Sequence, residues 1–270
     1  MRSLSTAILA CFILLVGVVR AAEENPGEQA IREAITILEA RKAQTEKKED
    51  QERIATAISN LEKLLPKMKE EGEAKADADL AKLITPALLK KKFAGKAVFN
   101  PKTGELTLIY AFTDKGELAD FDLGGSKPSV AAGVLKLQGG QSITHVVDFK
   151  TLTVTGVITV SGEKFTKRIS TTNGASMNTT TSMNGQFFSI SVKKQEQAFE
   201  KIPGLSGSFQ FSVEAKRVAA KWGTISLGKE ATETQGGQIA LHGATKGTQF
   251  QKLVISGKID PTWAVKFFGE

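Results

Sequence analysis

Apolar residues recur along this chain in two different rhythms. In the first, Ile31, Ile35 and Leu38 fall four and three apart, and Ile54, Ile58, Leu61, Leu65 and Met68 repeat that interval over four turns. Each set makes one stripe on a helix. Residues 39–53 between them are nearly all polar, and the second stripe is out of phase with the first. Two helices folded against each other fit this better than the alternative, one long helix with a solvated centre. Pro66 is expected to kink or end the second helix and Gly72 to stop it. A third short helix over about 74–84 should end before Pro86.

The second rhythm is short and extended. Residues 97–99 and 106–112 flank Asn100-Pro101-Lys102-Thr103-Gly104, a connection of hairpin type. Further strands are expected over 133–137, 142–149, 152–160, 186–192, 208–213, 237–241 and 250–255. Gly, Asn and Ser punctuate these runs about every ten residues, the pattern of an antiparallel sandwich or barrel. The polar tract 170–182 reads as a solvent-exposed strand pair with Ser/Thr ladders, or as a rim that contacts ligand. The fold class expected is therefore mainly β: an antiparallel two-sheet, jelly-roll-like sandwich preceded by a short α-helical hairpin region.

Composition sharpens the division. Residues 23–92 contain no aromatic residue, whereas all 17 aromatics beyond the N-terminal apolar run lie from Phe93 onward. Charged residues number 29 of 70 in the first stretch and 34 of 178 in the second. The N-terminus itself reads as an address: Met1-Arg2-Ser3, a 14-residue apolar run over 6–19, then Val19-Arg20-Ala21 as a cleavage site. That run is short of the ~20 residues that span a bilayer, which argues against a retained transmembrane anchor. The expected organisation is a signal peptide at 1–21, a charged helical region at 22–92 and a β-sandwich at 93–270, in a secreted, periplasmic or cell-envelope protein. Cleavage after Ala21 removes Cys11, the one cysteine, so no disulfide framework is expected.

The β segment resembles a known family. Asp120-Phe121-Asp122-Leu123, then Lys127-Pro128-Ser129-Val130 and Gly133-Val134-Leu135-Lys136-Leu137, look like the opening of the concanavalin-A-like lectin/glucanase sandwiches, laminin-G-like members included. Gly236-Gly237-Gln238-Ile239-Ala240-Leu241 and the stretch 250–257 resemble their last two strands. The likeness covers about 105–263. It implies two curved antiparallel sheets in a non-catalytic secreted bacterial member, and leaves function to the site.

Little in the sequence carries chemistry. The glucanases of that fold set their acids on one strand as Glu-x-Asp-x-Glu, and no such run occurs here; Glu117, Asp120 and Asp122 are spaced three and two and read as a solvated loop. His145 and His242 lack neighbours at metal-ligand spacing, so no metal and no cofactor are expected. Gly204-Leu205-Ser206-Gly207-Ser208 is not a nucleophile elbow. The residues proposed for ligand contact are Trp222, Trp263 and Tyr110 as aromatic platforms, with Asn173 and Asn178 as hydrogen-bonding groups. Core or seam packing is the default reading of both tryptophans, with Trp263 on a C-terminal strand.

The net charge of +7, with basic pairs at Lys193-Lys194 and Lys216-Arg217, reads as ordinary solubilising charge or, alternatively, as attraction to an anionic polymer, whereas nucleic acid is not an expected partner. The functional expectation is an exported, non-catalytic protein binding a glycan or an anionic cell-envelope polymer. A structural or protein-interaction module of the envelope is the alternative, and a glycoside hydrolase the third reading. The dense charge of the helical region reads as a solvated face with i,i+4 pairs, with a coiled-coil contact to a protein partner or a second copy as the alternative.

Overall fold

The computed structural model describes residues 26–45, 47–161, 166–193, 195–230 and 236–269; the signal peptide expected at 1–21 lies outside them. Among the described residues no helix is long and apolar enough to cross a membrane. The chain forms two compact units, Met1–Ala76 and Asp77–Glu270.

In the first unit, α1 (Pro26–Gln44) is followed by α2 (Lys48–Leu83). The link is closed by Gln51 Nε2, which donates to the Thr45 carbonyl at 2.6 Å. Ile31, Ile35, Leu38, Ile54, Leu61 and Leu65 are half-buried, and Ile58 is buried. α2 runs without interruption through Pro66 and Gly72, so the breaks expected there do not occur and the short helix expected at 74–84 is its last part. Proline removes one backbone donor at a cost of about 3 kcal/mol, and the strong helix formers on both sides outweigh that.

The second unit opens with the end of α2 and with α3 (Pro86–Phe93). Thr85 caps α3 by accepting from the Leu88 amide at 3.2 Å, and Pro86 occupies its first turn, where no amide partner is needed. Leu80, Ile84, Leu89 and Phe93 are buried in the same core as the strands.

The sheets turn on β6 (Ser142–Val160), 19 residues long. Its first half pairs with β3 (Phe121–Asp122) and β14 (Gly237–His242), and beyond β14 lie β7 (Thr166–Thr171), β8 (Ala175–Ser182), β9 (Gly185–Val192) and β10 (Gln195–Ile202). Its second half pairs with β15 (Thr248–Ile259) on one side and β11 (Ser206–Glu214) on the other. β2 (Glu105–Tyr110) and β1 (Ala97–Asn100) continue past β15; β12 (Arg217–Trp222) and β13 (Ile225–Glu230) continue past β11. The hairpin of β4 (Ser129–Ala131) and β5 (Val134–Leu137) joins the start of β15. Every pairing is antiparallel, and the result is a two-layer β-sandwich.

One strand serves both layers because its buried side changes over. Ile143, His145, Val147 and Phe149 are buried in the first half, Leu152, Val154, Ile158 and Val160 in the second. The parity slips at Lys150, which has no partner between Ile259↔Phe149 and Lys258↔Thr151. A bulged residue bends its strand and re-aims the side chains beyond it. The two strands expected at 142–149 and 152–160 are thus one strand with a bend. Glycines line the bend: a Cβ on Gly236 would meet the Phe149 carbonyl, and one on Gly257 the Thr151 carbonyl.

β10 and β13 have weak alternation and are not legible as strands. Two other expectations need correction. Phe112 lies past the end of β2. Trp263 is on a helix, α4 (Pro261–Phe268), which Asp260 caps by accepting from the Trp263 amide at 2.9 Å; Asp-Pro is a helix-start signal.

Candidate ligand-binding face

The polar tract at 170–182 folds into β7, β8 and the turn between them. Register pairs Ser170 with Ser176, Ser176 with Ser191 and Asn178 with Ser189, and Ala240 with Ser170. Side chains alternate across a strand, so these residues share one face with His242, while Ile169, Met177, Ile190 and Leu241 fill the core on the other. The polar face is linked across strands. Ser176 Oγ donates to Asn178 Oδ1 at 3.2 Å, Asn178 Nδ2 donates to Ser191 Oγ at 2.9 Å, and Ser170 Oγ lies 2.8 Å from His242 Nε2.

Ser170, Ser176, Asn178, Ser189 and Ser191 are all buried. The strand pair expected to be solvent-exposed is therefore not so. Short hydroxyl and amide groups can be buried when they satisfy one another, and here they do. Burial pushes the His242 imidazole down to about 4, helped by the charges of Lys167 and Arg168.

The same face carries aromatic side chains at its far end. Phe199 pairs with Ser189 and Lys201 with Phe187, which places Phe187 and Phe199 beside the hydroxyls. Their rings meet edge to face at 6.4 Å, and Phe199 is 64% exposed. From β14 to β10 the face spans four strand spacings, about 19 Å. The sequence does not single out Phe199, because β10 is not legible as a strand; the signal available is an apolar residue isolated in Gln195-Glu196-Gln197-Ala198-Phe199-Glu200-Lys201.

The five residues proposed from the sequence are not brought to one place. Asn178 is at the middle of the polar face, buried and held by two hydrogen bonds. Asn173 is exposed on the β7–β8 turn. Trp222 is 2% exposed, with its ring 6.3 Å from that of Phe188. Trp263 is half-buried and stacks on Phe267 at 4.6 Å. Tyr110 is fully buried and belongs to a polar network with Lys96, Asp120 and His145.

Of the three acids expected on a solvated loop, Glu117 and Asp120 are buried and Asp122 is exposed. Glu117 accepts from the Thr113 amide at 2.6 Å; burial pushes its carboxyl up, but hydrogen bonds from Phe112, Thr113 and Asp114 hold it below the usual range. Asp120 accepts from Tyr110 and pairs with Lys96 Nζ at 2.6 Å. Asp148 pairs with Gln238 in the ladder, and burial and the nearby Asp260 charge push its carboxyl up. Among the described residues no cluster of three or more His, Cys, Asp or Glu is placed to hold a metal ion.

No protein-family model matches the sequence, and no curated protein matches it either. Solved structures with a similar layout of strands include the lectin from Bauhinia forficata in complex with GalNAc, 11% identical over 56% of this chain and 97% of that one, TM-score 0.42. The Crh5 transglycosylase in complex with NAG is 9% identical over 57% and 85%, TM-score 0.43. The carbohydrate-binding module CBM66 from Bacillus subtilis is 8% identical over 52% and 93%, TM-score 0.34. With each of these TM-scores below 0.5, the sandwich assignment rests on this chain's own strand pairing.

Proposed function

We propose that this chain is an exported, non-catalytic binding protein with a concanavalin-A-like sandwich at 93–270, and that its polar face takes a glycan or another cell-envelope component. The helical region 22–92 serves as a spacer or as a contact for a protein partner. The observation that carries the reading is the exposed Phe199 ring beside a continuous row of Ser and Asn side chains. An aromatic ring offers a sugar an apolar platform, and the buried Ser and Asn groups, bonded to one another, fix the neighbouring strands.

The test is an array of neutral and acidic polysaccharides probed with wild type and Phe199→Ala. Binding by the wild type that falls about tenfold in the variant, at unchanged thermal stability, is expected for one stacking contact. Silence across the array, with a protein captured instead, favours the interaction-module reading.

Asp148 supports a second reading, glycoside hydrolysis. A carboxyl pushed upward beside another carboxylate is how a general acid is prepared. Saccharide turnover that disappears in Asp148→Asn would overturn the non-catalytic assignment.

A further inference from the structure

Lys167, Asn178, Ser189 and Phe199 stand in one row. Lys167 pairs with Asn178, Asn178 with Ser189 and Ser189 with Phe199. Residues opposite one another on neighbouring strands share a face. The row therefore crosses the polar face from β7 to β10, with an exposed lysine at one end and the exposed Phe199 ring at the other. Three strand spacings, about 14 Å, separate the two ends. Asn178 and Ser189 between them are buried and form the floor.

A second exposed lysine stands beside the ring. Lys201 pairs with Phe187, whose ring meets that of Phe199. A Cβ on Gly185 would lie 2.7 Å from Lys201 Cε and 3.3 Å from its Nζ, so this side chain lies across β9 on the same face. At the far end, His242 is bonded to Ser170; burial first, and then the charges of Lys167 and Arg168, hold its imidazole down. Among the described residues neither Lys167 nor Lys201 has an ion-pair partner.

A ligand that matches this row needs an apolar face for Phe199 and negative charge for the two lysines. A neutral sugar leaves both cations unused, and an anion without ring faces leaves Phe199 in water. An ammonium is a point charge without the planar fork of arginine, so carboxylate and sulfate groups both suit it.

Resting on the glycan reading of this face, we propose that its ligand is an acidic oligosaccharide lying across β7–β10, with one anionic group at Lys167, a sugar ring on Phe199 and a further anionic group at Lys201.

The test is calorimetry on wild type, Lys167→Gln, Lys201→Gln and Lys221→Gln, at low and at physiological salt. Lys221 is an exposed lysine on β12, in the other layer, and serves as the control. The probes are oligogalacturonate, monomeric galacturonate, a sulfated oligosaccharide and a neutral oligosaccharide of matched length. An acidic oligosaccharide should bind wild type more tightly than the neutral one and lose affinity as salt rises. Lys167→Gln and Lys201→Gln should each weaken it about twofold to fivefold, as expected for one exposed ion pair. Both variants should leave neutral-sugar binding and the unfolding temperature unchanged, and Lys221→Gln should bind as wild type does. The acidic probe that binds more tightly names the group as carboxylate or sulfate.

Unchanged affinity in Lys167→Gln, or an equal loss in Lys221→Gln, overturns the assignment, the latter because net charge alone would then explain the attraction. Monomeric galacturonate bound as tightly as its oligomer overturns the span across the strands. A neutral probe bound as tightly as the acidic ones overturns this inference and leaves the face as a glycan site, whereas no binding of any probe overturns both.

Discussion

The Tyr110 hydroxyl lies 2.7 Å from Nε2 of His145 inside the sandwich, and the direction of that hydrogen bond is set by its neighbours. The Val147 amide donates to His145 Nδ1 at 3.1 Å, so the ring proton is on Nε2 and goes to the Tyr110 oxygen. Tyr110 in turn donates to Asp120 Oδ2 at 2.9 Å, where Lys96 Nζ also ends, at 2.6 Å. A buried histidine, tyrosine and aspartate and a half-buried lysine form one chain, tying β2 and β6 to the segment that carries Asp120.

Tyr110→Phe leaves the His145 proton without an acceptor and takes one donor from Asp120. Losing one partner of a buried hydrogen bond costs about 1–3 kcal/mol. Urea unfolding should show a lower midpoint at unchanged slope; a midpoint equal to wild type would mean that the network contributes nothing to stability.

The two histidines make stability depend on pH. Burial, with Lys96, pushes His145 from its usual value of 6.5 to about 3, and His242 falls to about 4. Between these values and 6.5 the unfolded chain binds protons that the native chain does not. Stability should therefore be level above about pH 7 and decline as pH falls toward 4. Urea midpoints at several pH values check this, and His242→Gln should flatten part of the slope.

Gly257 is expected to tolerate no side chain. A methyl group there would occupy the place of the Thr151 carbonyl beside the β6 bend, and overpacking of this kind costs about 1–3 kcal/mol. Gly204, where a methyl group would have no atom within 4 Å, is the control. Thermal unfolding should separate Gly257→Ala from Gly204→Ala, and equal melting temperatures would contradict the packing described for the bend.

Trp222 and Phe199 should behave oppositely. Trp222 packs over Gly207 and against Phe188, so Trp222→Ala should cost about 3–5 kcal/mol. Phe199→Ala should change stability by no more than about 0.5 kcal/mol. Differential scanning calorimetry of the two variants decides; a mild Trp222→Ala would return that ring to the candidates for ligand contact.

Much of this architecture is written locally. The helical stripes, the hairpin at 97–110 and the strands at 134–137 and 185–192 follow from periods of 3.6 and 2 with turn residues between them, which a short window displays. The bend at Lys150 is also visible, as a change in the parity of apolar residues, although parity alone does not distinguish a bend from a break. Ser170, Ser176, Asn178, Ser189 and Ser191 are legible as strand residues, but their polarity points to solvent. Their burial follows from hydroxyls and amides meeting across strands, a relation between segments.

The sequence by itself determined which stretches are helical and which extended, where charge and aromatic residues concentrate, and that Val, Ile, Leu and Phe suffice for a two-layer core. The tertiary structure alone decided that Lys96, Tyr110, Asp120 and His145 meet, that Phe199 stands beside the Ser/Asn row, and that Arg168 is enclosed with an unsatisfied nitrogen. The reason is physical: periodicity records how each residue faces its own element, whereas side-chain partners depend on strand order and register, which are set when the whole core closes.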